Sequence, residues 1–232
     1  AVTIASLAHS FGGPPPGPAS APVIENVPFA RVDDLWDLPV LYRKPGGDFL
    51  QELRVTGMYH GLYANVESDQ GDFSGWENRR WRIGTGIKFL DNWELRADID
   101  IADDFDPFYR NMNDLYLISR PRDDLRVKIG RTKALWGSQW RQSIKTFPYI
   151  EWGQLVSQLR PQRAVGIAVD GKRNHWIYEA AVWSGDLTRD FTDFEGDAFY
   201  SGGIGYDFAS KTEAFETLRW RLDFYFNETN EK

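Results

Sequence analysis

The feature that most constrains this chain is a strict two-residue alternation of apolar and charged side chains. In Trp93-Glu94-Leu95-Arg96-Ala97-Asp98-Ile99-Asp100-Ile101 every even position is charged and every odd one apolar. Residues 81–89 repeat the pattern with Arg82 and Lys88 on the even side, and residues 218–226 repeat it with Arg219, Arg221 and Asp223 on the odd side. Only an extended strand gathers alternate residues on one face; a helix would scatter these charges around its whole circumference. Shorter stretches of the same kind occur at residues 53–63, 115–120, 125–131, 164–170, 175–183 and 199–208. The reading is an all-β chain of about nine strands, since no segment carries a helical period.

The links between these segments alternate in length. A long polar link at 66–76 is followed by the tight Leu90-Asp91-Asn92 turn, a long link at 102–113, a tight turn at 121–124, a very long segment at 137–162, a tight turn at 171–174 and a long loop at 185–197; only the link at 209–217 is intermediate. Long links at one end and short turns at the other describe an antiparallel up-and-down barrel of the transmembrane type. A Greek-key sandwich has no reason to alternate this way.

One hairpin supplies an internal check. A three-residue Leu90-Asp91-Asn92 turn sets Phe89 opposite Trp93, Ile87 opposite Leu95 and Ile83 opposite Ile99. The same register sets Lys88 opposite Glu94 and Arg82 opposite Asp100, so both faces agree. Asn92 is the residue expected to take the left-handed conformation.

The apolar face is too continuous and aromatic for water, and the charged face cannot be a dry core. Either a second sheet covers the apolar face, or lipid does and the charges line a lumen. Composition is compatible with the second solution, because a barrel shows lipid only one face of each strand: mean hydropathy is -0.49, yet 10 Trp, 10 Tyr and 15 Phe are present. Trp93 and Trp176 directly follow short turns and Trp81 opens its predicted strand, which are girdle positions. Lipid is therefore the expected partner of Trp81, Ile83, Ile87, Phe89, Leu95, Ile99 and Ile101, and the lumen that of Arg80, Arg82, Lys88, Glu94, Arg96, Asp98 and Asp100.

Other classes are excluded or disfavoured. No run approaches the ~20 apolar residues of a spanning helix. The absence of cysteine removes disulfide scaffolds and thiol chemistry, and a net charge of -7 argues against nucleic acid as a partner. His9, His60 and His175 have no metal-ligand spacing, and no nucleophile elbow, phosphate loop or dinucleotide fingerprint occurs. The expectation is no enzyme, no catalytic residue, no metal and no cofactor. The rival from another class is a secreted soluble β-sandwich that binds glycans through exposed tryptophans. Residues 1–48, with Pro14-Pro15-Pro16-Gly17-Pro18, read as an extended leader, and residues 1–21 as a stretch that could retain part of a secretory signal.

Several stretches in order resemble the phosphate-selective porins of the O/P type. They are Gln51-Glu52-Leu53-Arg54-Val55-Thr56-Gly57-Met58-Tyr59-His60-Gly61, Trp76-Glu77-Asn78-Arg79-Arg80-Trp81-Arg82-Ile83-Gly84, Phe105-Asp106-Pro107-Phe108-Tyr109, Lys128-Ile129-Gly130-Arg131 and Arg163-Ala164-Val165-Gly166. The resemblance implies a passive diffusion channel of the bacterial outer membrane, usually trimeric, whose lumenal Arg and Lys favour small anions such as phosphate. Barrels of that family are longer and end on an aromatic residue, whereas this chain ends Asn227-Glu228-Thr229-Asn230-Glu231-Lys232. The expectation is that residues 49–232 are the N-terminal part of such a barrel.

On this reading the pore-lining candidates are Arg80, Arg82, Arg96, Arg126, Lys128, Arg219 and Arg221. Glu94, Asp98, Asp100, Asp170 and Asp223 share their face, so cross-strand ion pairing is the plain alternative, above all for Arg82 and Lys88. Arg80, Arg219 and Arg221 have the fewest local partners and are the favoured anion-attracting residues. The 137–162 segment carries Arg141, Lys145 and Arg160, with Arg163 at its end, among Trp140, Phe147, Tyr149 and Trp152. It is the candidate constriction loop, folding inward, with an external cap or trimer contact as the alternative. The acidic loops lack calcium-loop spacing and read as solvated surface.

Overall fold

The computed structural model describes residues 2–11, 39–46, 49–69, 71–144, 152–185, 190–191, 197–208 and 218–227. The strands are β1 (Val2–Phe11), β2 (Val40–Arg43), β3 (Leu50–Val66), β4 (Phe73–Phe89), β5 (Trp93–Ile101), β6 (Tyr109–Arg122), β7 (Leu125–Lys133), β8 (Arg163–Arg173), β9 (Trp176–Ser184), β10 (Ala198–Asp207) and β11 (Arg219–Asn227). Two short helices, α1 (Ser138–Arg141) and α2 (Gln154–Leu159), lie between β7 and β8. The strands form one sheet in which spatial order follows chain order from β3 to β11, with β1 and β2 both paired to β3. This is an all-β, antiparallel up-and-down architecture. The strands β3 to β11 correspond one to one with the alternating segments, and β5 has the predicted bounds.

Two strands within residues 1–48 also join the sheet: Val2 lies opposite Val66 and Phe11 opposite Gly57, while Arg43 lies opposite Glu52. The proline run falls outside the described residues. β3 and β4 are 17 residues each, longer than alternation predicts, and only residues 67–72 connect them. Trp81 therefore sits in the middle of β4 and not at a strand end. The pairing jumps from His60–Arg80 to Gly61–Asn78, leaving Arg79 as the extra residue of a bulge, and such a residue breaks the two-residue period while the backbone ladder continues.

The short turns use left-handed residues. Asn174 and His175, at φ 49° and 71°, form a two-residue link between the paired Arg173 and Trp176, as type I′ hairpins do. In the β4–β5 turn Leu90 and Asp91, at φ 48° and 59°, are left-handed, and Asn92 is not among the positive-φ residues. Gln51 sets this choice, donating from Nε2 to Asp91 Oδ1 at 2.9 Å and accepting the Asp91 N–H at 3.2 Å, while the Leu90 N–H bonds the Phe49 carbonyl.

The chain divides into two compact units, one of residues 1–91 and 96–113 and one of residues 92–95 and 114–232. In the second, Ala134, Ala164, Ala168, Trp183 and Phe199 form a buried apolar cluster. No described helix is long and apolar enough to cross a membrane.

Candidate pore-lining face

One face of the sheet leaves large apolar side chains exposed, while charged groups on the other face are protected. On β11 the even residues Trp220, Leu222, Phe224 and Phe226 are exposed, Leu222 at 63%. The charged groups that bond across the other face are the protected ones: Asp207 is 3% exposed, Glu52 6% and Glu179 9%. Ile83, Val55, Ile129, Ile167, Val182 and Ile204 join the exposed apolar set. Soluble folds scatter apolar side chains on their surface but do not line one whole sheet face with them.

The exposed apolar face is bounded by two rows rich in aromatic residues in the second unit. Trp176, Tyr206 and Trp220 are lateral neighbours on β9, β10 and β11, with ring centroids 5.1 Å apart for Trp176–Tyr206 and 6.2 Å for Trp176–Trp220. Val182, Tyr200 and Phe226 form the corresponding row towards the other end. At ~3.3 Å per residue the two rows stand about 20 Å apart along the strand. Trp176 thus stands exposed at the start of β9, beside the short turn, as the sequence places it.

The charged face of the first unit is a set of ion pairs. Glu52 meets Lys88 at 3.3 Å, Arg43 at 3.4 Å and Arg54 at 3.8 Å. Arg82 bonds Asp100, and Arg96 bonds Asp98 at 2.9 Å. The Arg82–Asp100 contact is the one the hairpin register requires. Asp98 also accepts from the Thr56 hydroxyl at 2.9 Å, passing Gly84, where any Cβ would collide with the Asp98 carboxylate and the Ala97 carbonyl. Within the predicted lipid-facing set Ile83 is exposed, whereas Ile101 is buried at 7%.

In the second unit Asp170 lies between Arg126, which bonds it through Nε and Nη2 at 2.6–3.2 Å, and Lys128 at 3.2 Å. Asp207 lies between Lys172 at 2.8 Å and Arg219 at 2.9 Å. Glu94 holds Arg120 at 3.2 Å. Arg221 bonds Asp223 on its own strand at 2.6 Å and reaches across β10 to Glu179 on β9 at 3.2 Å. Gly203 makes this crossing possible: it is the lateral neighbour of both Glu179 and Asp223, and a Cβ there would strike the Asp223 carboxylate and the Arg221 guanidinium.

Residues 137–141 attach to this network. Arg141, the last residue of α1, bonds Glu179 through Nη1 at 2.7 Å and Asp223 through Nη2 at 2.9 Å, and the Gly137 N–H bonds Asp223 at 3.0 Å. Burial opposes the Arg141 charge, but hydrogen bonds and proximity to Glu179 and Asp223 outweigh it and raise its pKa above that of a free arginine. Trp140 donates to the Ala134 carbonyl at 2.8 Å and meets Trp152 edge-on at 5.3 Å. Lys133 stands over both indoles, and Arg160 stacks 4.3 Å from Trp140.

The candidates therefore divide. Arg219 and Arg221, expected to have the fewest local partners, are held by carboxylates that sequence distance partly conceals: Asp207 is on the facing strand and Glu179 two strands away, while Asp223 lies beside Arg221 on its own strand. Arg163 opens β8 and bonds Asp114 at 3.1 Å, so it belongs to the wall and not to the loop. Arg80 lies opposite His60. Lys145, Phe147 and Tyr149 fall outside the described residues. Sequence reading missed Arg54, Arg120 and Glu179, although each carries a charge at the alternation phase of its strand. Among the described residues no three His, Asp or Glu side chains form a metal cluster, and the acidic residues Asp103 and Asp104 are exposed.

An up-and-down sheet with protected charge on one face and a bare apolar face between aromatic rows defines the wall of a membrane β-barrel. Residues 51–211 match the family model described as phosphate-selective porin O and P, and the chain belongs to that family. No curated protein and no solved structure matches it. The family is one of bacterial outer-membrane channels, not of enzymes.

Proposed function

We propose that this chain forms an outer-membrane pore through which small hydrophilic anions, phosphate among them, diffuse passively, with the charged face lining the lumen, the 137–162 segment folded into it and three copies assembled in the membrane. The observation that carries the anion preference is the sharing of carboxylates. Asp170 serves two cations and Asp207 serves two, so these clusters retain positive charge after pairing. A surplus of this kind along a lumen favours anions over cations even in a protein whose net charge is -7, because exposed acidic loops contribute to the total and not to the pore wall. Inward placement of the loop is supported by Arg141, which bonds carboxylates of the charged face.

The test is the reversal potential of single channels in a potassium chloride gradient. A potential of the sign set by chloride is expected, and its reduction by added phosphate would place both anions on one path. A cation-selective potential would overturn the preference.

A further inference from the structure

We propose that Arg141 is a positioning residue: a latch that fixes the start of the 137–162 segment against the wall and so sets the pore width, with its charge spent inside a neutral cluster and not offered to passing anions. This rests on the channel reading above and specifies what one of its basic residues does.

Three features of the geometry carry it. Arg141 spreads its two terminal nitrogens over carboxylates of different strands, Glu179 on β9 and Asp223 on β11, which a planar guanidinium does well and a point-like ammonium does not. Asp223 also accepts the Gly137 N–H, so the segment is gripped at two positions four residues apart in sequence. Finally, Arg221 bonds the same two carboxylates, giving two guanidiniums against two carboxylates, all four side chains less than one-fifth exposed. The field of such a neutral, compact group falls off within a few ångströms, whereas the Asp170 and Asp207 clusters keep a net charge. Residues 152–153 are in turn fastened to α1, with Trp152 against Trp140 and the Gly153 N–H bonded to Gln139. Arg141 ties α1 to carboxylates of two strands, while Lys133 of β7 touches α1 through the Trp140 ring.

The experiment compares single-channel currents of the full chain in planar bilayers for wild type, R141K and R141Q/D223N. R141K preserves every charge and R141Q/D223N keeps the cluster neutral. As a latch, Arg141 requires both variants to show open-channel noise raised by about twofold and a shifted mean conductance, with the chloride-to-potassium permeability ratio unchanged. Wild-type behaviour of R141K, or a lost anion preference at unchanged conductance and noise in R141Q/D223N, would overturn the latch and make Arg141 a selectivity charge. Hydrogen exchange of the peptide covering 137–142 in detergent micelles reads the same contact without any current, and R141K should accelerate it by about tenfold. Unchanged exchange counts against the latch. A silent wild-type channel would strike at the porin reading instead, and exchange would still decide the latch.

Discussion

The two units solve one packing problem in two ways. In each, a glycine on the middle of three strands lets side chains of the flanking strands touch across it: Gly84 between Thr56 and Asp98, and Gly203 between Glu179 and Arg221. The first junction closes on wall residues, with Arg96 completing Asp98. The second brings two carboxylates to one place, more negative charge than Arg221 alone balances, and it takes up Arg141 from the loop. The difference is that the strands leave the second ion cluster short of one cation, and α1 supplies it.

The largest effect expected from breaking this contrast is on Glu179→Ala. Removing it leaves Arg141 and Arg221 to share Asp223 in a protected site, at a cost of about 3 kcal/mol. Glu52→Ala should cost only about 1 kcal/mol, because Arg43, Arg54 and Lys88 remain 28–32% exposed and can be hydrated. Urea titration of the protein in lipid vesicles measures both, and equal losses would erase the distinction between the clusters.

A smaller difference separates the glycines. Gly84→Ala drives a methyl into the backbone carbonyl of Ala97, whereas Gly203→Ala meets only the ends of flexible side chains. The first should destabilise by about 2 kcal/mol and the second by about 1 kcal/mol, the same titration giving the order. Gly203→Ala should nevertheless raise channel noise, because it displaces the Arg221 that helps hold Glu179.

Lys128→Gln acts on charge and not on width. It leaves Asp170 with Arg126 alone, a neutral pair, so the chloride-to-potassium ratio should fall by about 1.5-fold at unchanged noise. A rise in noise without a change in ratio would show that the Asp170 cluster is structural.

The smallest effect is that of alkali on the latch. Because the Arg141 pKa is raised in the folded protein, its contribution is fully present below the pKa of a free arginine and is lost only as pH rises through the higher folded value. Exchange at 137–142, corrected for the intrinsic rate, should therefore match between about pH 7 and about pH 9. A loosening in that interval would implicate a different group.

Much of the fold was legible because each strand writes its own two faces. β5 needed no other part of the chain to be recognised, and the Arg82–Asp100 contact follows from counting outward from a turn. The Arg79 bulge was illegible because an extra residue cancels the period that reveals strands, so the first half of β4 read as a loop. The Asn92 expectation failed for a related reason: Gln51, 40 residues from Asp91, decides which turn residue is left-handed. At the candidate site, alternation found which basic residues share a face but not which carboxylates hold them. Arg219 and Arg221 showed the fewest partners along the chain and gain Asp207 and Glu179 through the sheet.

By itself, then, the sequence determined the strands, their alternating connections, the membrane-facing chemistry of one side and the family. These are consequences of a local two-residue period and of side-chain type, and they need no knowledge of what lies beside each strand. The tertiary structure decided how the charges are apportioned: that Asp170 and Asp207 are shared while Glu179 and Asp223 are balanced, and that Arg141 closes the second set. An ion pair forms where the fold brings two groups within about 4 Å, and lateral distance in a sheet is set by strand order and register across three strands, which no single segment encodes.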